Sequence, residues 1–319
     1  MNGYANAKFI RDYQLTVQVP TPSNILGSAL PEDYVIIKPP FTLTFDITKD
    51  CLSSSSSASF QIYNLSPLRR NQIRKNINDF LSVRTVILQA GYVDNTAIVF
   101  NGIMQQAFSV RNGIDVITQI EGTDWSFAFI SPDSDYYGDP VPTGTTQKAI
   151  VTNMMSKALP RVTIGSIGNV GNGAAVKRTT SFSGMAKELI QQHTGGPGTS
   201  GFFIDDGVAN ILGQNEVRPA KGVSIINSNS GLLGKPVQEA NILDFEMLFE
   251  PRLLMGQIIH LDSVTDPQLS GDYKVVSIKH HGMISDAVCG DAITGVGLFS
   301  PHFPPQRNQF QIVYPQGAS

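Results

Sequence analysis

Apolar and polar residues alternate through much of the first 125 residues. Leu15, Val17 and Val19 alternate with polar neighbours, and the segment FTLTFDI (41–47) has the same pattern. A period of two is typical of strands that bury one face. An Asn-Gly pair at 112–113, between two further alternating segments, favours a hairpin. The pattern predicts about six strands here, enough to close a small barrel or a sandwich.

One helix interrupts these strands. Ser66 and Pro67 have the residue types preferred at a helix start, and Ile73 and Ile77 follow at a helical step. The pattern predicts a helix over 66–81. The remaining positions carry four basic residues, Arg69, Arg70, Arg74 and Lys75. They could form a nucleic-acid patch, but a solvated or subunit-facing helix side is the more common origin of such a pattern.

The middle of the chain changes character. Residues 131–144 contain three prolines and two glycines, which predicts a linker. A helix is predicted from Thr145 to Leu159, followed by a short strand, and a second helix is predicted to start at a Ser183 cap. Residues 201–212 are predicted to form a hairpin that turns at Asp-Asp-Gly. These elements describe a small α/β module.

Alternation returns after residue 242. Leu243, Phe245 and Met247 alternate with polar residues, and further strand-like segments continue to residue 299. The proline-rich segment from Ser300 is predicted to be extended. We therefore predict a mainly β chain with an α+β part, divided into residues 1–135, 140–215 and 216–319: a β unit with one helix, a small α/β domain, and a second β unit with its tail.

Composition limits the possible functions. Charged residues make up 15% of the chain and the formal net charge is −3. Soluble domains usually contain about a quarter charged residues, so a charge-poor surface favours coverage by other subunits. Plentiful uncharged polar residues would also produce this value. The negative charge argues against a protein that binds nucleic acid tightly through phosphate contacts. It does not exclude a weakly acidic channel wall past which nucleic acid slides.

The lack of a recognisable targeting signal and the two isolated cysteines favour a soluble subunit. No segment approaches the roughly 20 apolar residues of a membrane helix, and the N-terminus lacks a secretory pattern. Two isolated cysteines, Cys51 and Cys289, form neither a metal-ligand pattern nor a disulfide framework. Synthesis in a reducing cytoplasm fits these residues, and a single long-range disulfide between them stays open.

Candidate catalytic groups are isolated. The sequence GNVGNG (168–173) lacks dinucleotide-binding spacing, and Asp205 and Asp206 precede a glycine, as is typical of a hairpin turn. His260 and His280 could approach each other on facing strands, whereas the consecutive His280 and His281 point to opposite faces. No serine or cysteine lies in a nucleophile motif. We predict a non-enzymatic protein with no catalytic residues, metal or cofactor, and leave a metal at His260 and His280 as a minor alternative.

The order of several segments resembles the baseplate hub family of phage tails. This family includes the late-control D proteins, the Mu-type hub and the N-terminal part of type VI secretion spike proteins. The resemblance is carried by TFDITKD (44–50), SFQIYNLSPLRRNQI (59–73), LQAGYVD (88–94) with VFNGI (99–103), KELIQQHTGGPGTSGFFIDDG (187–207), LFEPRLLMGQIIHLDSV (248–264) and LSGDYKVVSIKHHG (269–282). Each segment is degenerate alone, but together they span most of the chain.

The resemblance implies a homotrimer in which each subunit supplies two tube-like β-barrels. Such a ring matches a sixfold tail tube on one side and a threefold spike on the other, and DNA passes through its lumen without specific binding. The implied partners are further copies of the chain, the tail tube protein, a spike or tail-tip protein and other baseplate proteins. The implied location is the tail baseplate of the virion, after synthesis in the host cytoplasm.

Six apolar residues are predicted to contact other subunits, namely Leu43, Phe45, Ile73, Ile77, Phe245 and Met247. They lie in the predicted helix and in two strongly alternating strands. Two other functions stay open. A tube or distal tail protein would form sixfold rings and would usually need only one barrel. A tail-associated cell-wall hydrolase would need a catalytic constellation or an additional domain.

Overall fold

The structure is a computed structural model. It describes residues 11–19, 33–51, 55–79, 82–93, 95–125, 136–159, 162–194, 201–213, 215–219, 224–239, 242–285 and 292–299. The predicted extended tail and Cys289 lie outside these residues. None of the helices in the described part of the chain has the length and apolar character needed to cross a membrane.

The first β unit contains seven described strands, one more than the pattern predicted. They are β1 (Arg11–Val19), β2 (Asp33–Ile37), β3 (Leu43–Asp50), β4 (Ser57–Tyr63), β5 (Thr85–Tyr92), β6 (Asn95–Asn112) and β7 (Asp115–Thr123). Helix α1 (Pro67–Ile73) lies between β4 and β5. The Asn-Gly pair at 112–113 makes the tight turn from β6 to β7, and Gly113 has a positive φ of 62° there.

The middle module combines two helices with two small sheets. Its elements are β8 (Tyr136–Val141), α2 (Gln147–Ala158), β9 (Thr163–Ile167), β10 (Thr180–Met185), α3 (Ala186–Thr194), β11 (Gly201–Asp205) and β12 (Val208–Leu212). Strand β10 pairs with β8, while β12 pairs with β11 in a hairpin and with β9 in parallel. The hairpin over 201–212 therefore confirms the prediction made from its Asp-Asp-Gly turn.

The second β unit follows the middle module. Its described strands are β13 (Ser224–Ile226), β14 (Leu232–Glu239), β15 (Ile242–Leu248), β16 (Ile258–Leu261), β17 (Gly271–Ile284) and β18 (Ala292–Phe299). The alternation that predicted a strand near 242–249 is explained by β15, whose apolar residues face inward at every second position. The predicted mainly β fold with a small helical part is therefore confirmed.

A single 13-stranded sheet contains the strands of both β units. Its main path runs β14-β15-β18-β17-β3-β4-β7-β6-β5-β1-β2, and β16 joins through β17. The two units meet where the C-terminal half of β17 pairs antiparallel with β3, from Ser277 opposite Asp50 to Ile284 opposite Leu43. Among the described residues this path has two ends, so closure into two separate barrels stays a prediction.

Three apolar clusters accompany the three predicted units. The first lies mainly inside the first β unit and includes Phe45, Phe60 and Phe100. The second is centred on α2 and α3, and the third fills the second β unit around Phe245. The exact domain boundaries 1–135, 140–215 and 216–319 stay predictions, but the clusters indicate where each unit obtains its stability.

Three local predictions were wrong. Helix α1 ends at Ile73 instead of continuing to residue 81, because Lys75 exchanges two 3.0 Å backbone hydrogen bonds with Ala107 and leaves the helical path. Ser183 lies within β10 and does not cap α3, which begins at Ala186. The predicted linker 131–144 contains β8, because its residues 136–141 pair with β10.

Candidate functional site

A buried ionic junction lies where the three parts of the chain meet. It consists of Lys49, Asp205, Asp206 and Arg218. Lys49 Nζ lies 3.1 Å from Asp205 Oδ1 and 2.6 Å from Asp206 Oδ2. Arg218 Nη1 lies 2.9 Å from the second Asp205 oxygen. Asp205 and Lys49 are almost completely excluded from solvent, so each ion depends on its partners in place of water.

Local sequence explains why these charges face each other. Inward-facing positions of β3 recur at every second residue, and Lys49 continues the series of Phe45 and Ile47. The opposing turn brings the two aspartates to this point. Asp206 has a positive φ of 50° and Gly207 one of 80°, as expected for a tight hairpin turn. A side chain on Gly207 would begin only 2.9 Å from the Asn101 amide nitrogen, so glycine also permits the close approach.

The two aspartates have different environments. Asp205 accepts hydrogen bonds from Lys49, Arg218 and the backbone N–H of Met255. Asp206 contacts Lys49 through one oxygen, while its other oxygen is buried without a hydrogen-bond partner in the described chain. Burial raises the pKa of Asp206 to about 6, despite the opposing attraction of Lys49. The pKa of Asp206 therefore lies in the moderately acidic range.

Lys49 remains charged in this setting. Burial disfavours its ammonium form, but the combined attraction and hydrogen bonds of Asp205 and Asp206 outweigh burial and raise its pKa. A buried pair of this kind is weak evidence for extra stability, because both ions lose hydration. Its geometric effect is better supported: β3, the β11–β12 hairpin and the segment that contains Arg218 must adopt one relative arrangement to satisfy the charges.

Neutral contacts extend the junction to its neighbours. The Asn101 side-chain amide donates to the Asp206 carbonyl at 3.3 Å, and the Trp125 indole N–H donates to the Asn101 side-chain oxygen at 3.4 Å. On the other side, buried Lys274 donates to the Gly213 carbonyl at 2.8 Å. Trp125 therefore belongs to the core contacts between the first β unit and the middle module.

The residues predicted to contact other subunits have two different environments. The side chains of Leu43, Phe45, Phe245 and Met247 are buried within the chain, and so is that of Ile73. Their alternation therefore reflects the chain's own core. In contrast, Ile77 is 51% exposed and remains available to another molecule. Participation of these strands and of the α1 region in a subunit contact stays a prediction.

The two strands at the ends of the sheet's main path, β2 and β14, differ in how easily another chain could pair with them. Strand β2 pairs only with β1 in the described chain, and Tyr34 and Ile36 on its outer face are each 46% exposed. Strand β14 is irregular, with Pro236 and a register shift between Leu233 and Val237. Prolines and irregularities discourage edge pairing, so β2 is the more open edge.

Candidate catalytic and metal-binding residues remain dispersed. His260 Nδ1 pairs with Asp272 Oδ1 at 2.7 Å, whereas fully buried His280 contacts Thr294 Oγ1 at 2.9 Å. Asp272 and His280 are eight residues apart on β17, about 26 Å at strand spacing, so the two histidines do not share an ion. No group of three His, Cys, Asp or Glu residues in the described segments could hold a metal.

Cys51 is also unsuited to nucleophilic chemistry. Its thiol is buried and lies 3.9 Å from the Met255 sulfur. Burial raises its pKa, which keeps it protonated.

Asp205 and Asp206 belong to the ionic junction, a role that their turn signature did not reveal. The continuation of the β3 alternation to Lys49 was the available sequence signal for a buried charge requiring a partner.

Comparison with solved structures identifies the class of fold. The tail protein from Neisseria meningitidis MC58 matches 90% of this chain and 96% of its own, with a TM-score of 0.55 and 11% identity. The 43 kDa tail protein of prophage MuSo2 from Shewanella oneidensis matches 90% and 97%, with a TM-score of 0.54 and 9% identity. The chain therefore has the fold of phage tail proteins.

A type VI secretion component from E. coli has a related fold. It matches 82% of this chain and 74% of its own, with a TM-score of 0.50 and 8% identity. Sequence comparison defines the family: the profile of the baseplate hub gp41 family matches residues 16–285. The chain belongs to this family, which confirms the resemblance to phage baseplate hubs. Comparison with curated protein sequences gave no significant match.

Proposed function

We propose that the chain forms a homotrimeric baseplate ring that adapts a sixfold tail tube to a threefold spike. The supporting observation is the pairing of β3 with β17, which makes both β units parts of one sheet. Two sheet-forming units in each of three copies would present six related positions around an axis. The open edge of β2 would supply a strand to which a neighbouring subunit can attach.

The proposed ring encloses a channel through which DNA passes without specific binding. A weakly acidic chain fits this role, because its net charge of −3 disfavours persistent phosphate contacts. The proposed partners are the tail tube protein on one side, a spike or tail-tip protein on the other, and surrounding baseplate proteins. In this proposal the chain is a structural virion component and has no enzymatic activity.

Mass measurement of the purified chain, alone and with a spike protein, tests this proposal. We expect assemblies containing three copies, and imaging of tail particles should locate three copies at the baseplate. A stable monomer that never joins a tail particle would contradict the proposal, while six copies would favour a tube or distal tail protein. Zymography on purified cell wall tests the hydrolase alternative, and clear lysis by the pure chain would support it.

A further inference from the structure

A small basic cleft separates α1 from the extended β6–β7 hairpin. The cleft has a volume of about 310 Å³ and is lined by Pro67, Arg70, Asn71, Arg74, Phe108 and Ser109. Its lining contains two guanidinium groups and no carboxylate. Guanidinium groups bind carboxylates through paired hydrogen bonds, and the apolar surfaces of Pro67 and Phe108 would exclude water from such a contact.

The positive charge at this cleft lacks compensation within the described chain. Nearby Lys75 donates to the Met104 carbonyl at 2.9 Å, and Arg84 donates to the Arg74 carbonyl at 3.0 Å. These two cations are therefore satisfied by backbone oxygens. In contrast, Arg70 Nε is buried and has no hydrogen-bond partner among the described residues. A buried donor without a partner is costly, which favours an external acceptor at this position.

An acidic face of complementary character lies where the second β unit joins the end of β3. It borders a groove of about 610 Å³ whose lining includes Asp50, Asp244 and Glu246. Gly295 also lines the groove and leaves space for an incoming side chain, because an added Cβ there would have no neighbour closer than 3.8 Å. The side chain of Glu246 is exposed and makes no hydrogen bond or ion pair within the described part of the chain. Its carboxylate is therefore available to an external cation.

Nearby lysines do not remove this acidic character. Lys235 pairs with Asp266 at 2.9 Å, and Lys279 lies 3.6 Å from Asp46. Both lysines thus have other acidic neighbours. The cleft lies on the first β unit and Glu246 lies on β15 of the second, so two copies could join them head to tail. Such heterologous contacts can repeat from copy to copy until a ring closes.

We propose that the basic cleft of one copy binds Glu246 on the acidic face of a second copy. This inference rests on the proposed homotrimer and specifies a polar contact between its subunits. A cleft of 310 Å³ accommodates a carboxylate-bearing side chain and is too small for a nucleic-acid duplex. The chain itself supplies the complementary charge, which favours a second copy as the occupant.

Charge exchange tests the contact directly. We expect Arg70→Glu and Glu246→Arg each to weaken self-association at least tenfold, because like charges would then face each other across the interface. The double variant, with both changes in one chain, should recover much of the lost association. Analytical ultracentrifugation over a range of concentrations measures the effect, and urea unfolding establishes that each variant remains folded.

Arg69→Glu is the matched control. Arg69 lies on the same helix, stacks over Phe41 with 5.9 Å between the guanidinium carbon and the ring centroid, and does not line the cleft. It should leave association within about twofold of wild type. Normal association of folded Arg70→Glu, or no recovery in the double variant, would overturn the inference while leaving the homotrimer intact. A wild-type chain that remains monomeric alone and in tail particles would instead refute the homotrimer itself.

A DNA-binding measurement tests the other candidate ligand of the cleft, a nucleic-acid duplex. Wild type and Arg70→Glu are each titrated with a short fluorescent DNA duplex at low salt. Equal, weak binding by both proteins supports a protein carboxylate as the ligand of the cleft. If Arg70→Glu assembles normally but loses DNA binding, the cleft is a nucleic-acid site and the proposed contact with Glu246 is refuted.

Discussion

Lys49 Nζ and Asp205 Oδ1 lie 3.1 Å apart, with 2% and 0% of their side chains exposed. This pair joins a strand of the continuous sheet to the hairpin of the middle module. Lys49 also contacts Asp206, so its loss would leave two buried carboxylates with reduced compensation. The placement of the middle module against the continuous sheet therefore depends on the charges of Lys49 and the two aspartates.

Replacing Lys49 with methionine should strongly destabilise the chain. Methionine has a similar length but leaves buried Asp205 and Asp206 without the ammonium group, and loss of one partner of a buried pair typically costs about 3–5 kcal/mol. Urea unfolding at neutral pH measures the change. Lys157→Met is the matched control, because its pair with Asp139 is exposed and should contribute less than about 1 kcal/mol. Equal losses in both variants would contradict the importance of burial.

Asp206 should make stability depend on pH between about 4 and 6. Its pKa rises from 3.8 to about 6 on folding, mainly because of burial, so the folded chain binds its proton more tightly. Its contribution to stability is therefore fully present below pH 3.8 and is lost as the pH rises towards 6. Subtracting the Asp206→Asn unfolding profile from that of wild type isolates this effect. A difference that does not decline over this range would show that Asp206 ionises normally.

His280 should have the opposite dependence. Its ring is fully buried beside Phe249, and burial, assisted by nearby positive charge, lowers its pKa well below 6.5. The unfolded chain gains a proton as the pH falls below 6.5 while the folded chain does not, so folding becomes less favourable in acid. Replacement with glutamine should reduce the acid-induced loss between pH 6.5 and 5. Urea unfolding at several pH values provides the comparison, and identical slopes would refute the assignment.

Sequence periodicity predicted the strands well where one face is apolar and the other polar. The FTLTFDI segment became β3, and the alternating residues near Phe245 became β15. The pattern could not predict that β3 would pair with β17, because periodicity identifies a buried face without specifying the strand beside it. Periodicity also cannot distinguish a residue buried in the chain's own core from one buried at a subunit contact, because both produce the same alternation.

The ionic junction was harder to predict for a different reason. A turn signature correctly located Asp205 and Asp206, but their charge partners are remote in sequence: Lys49 belongs to the first β unit and Arg218 follows the hairpin. Nothing local identifies such partners. Helix α1 was predicted too long because its apolar spacing continued past Ile73, while the backbone pairing of Lys75 with Ala107 ended it. Tertiary contacts therefore overrode local preference.

Gly102 should not tolerate alanine. An added Cβ would lie 2.2 Å from the Thr123 carbonyl oxygen and 2.7 Å from the Phe100 ring, and the backbone oxygen cannot move without disturbing the pairing of β6 and β7. We expect a loss of about 1–3 kcal/mol in the free energy of unfolding. Gly295→Ala is the control, because its nearest neighbours would be 3.8 Å away, and it should change stability by less than about 0.5 kcal/mol. Urea unfolding of both variants measures these changes. A Gly102→Ala variant as stable as wild type would contradict the predicted steric clash.

Aspartate substitutions at Phe245 and Ile77 should separate folding from assembly. Phe245 is 4% exposed, so Phe245→Asp would place an unpaired charge in the core and should prevent stable folding before assembly can be assessed. Ile77 is 51% exposed, so Ile77→Asp should retain the thermal midpoint of wild type within a few degrees. If the predicted subunit contact includes Ile77, the folded variant should nevertheless enter tail particles less efficiently. Circular dichroism measures folding, and quantitative immunoblotting of purified particles measures incorporation. Normal incorporation of folded Ile77→Asp would exclude this side chain from an essential contact, while a stable Phe245→Asp variant would contradict its assignment to the core.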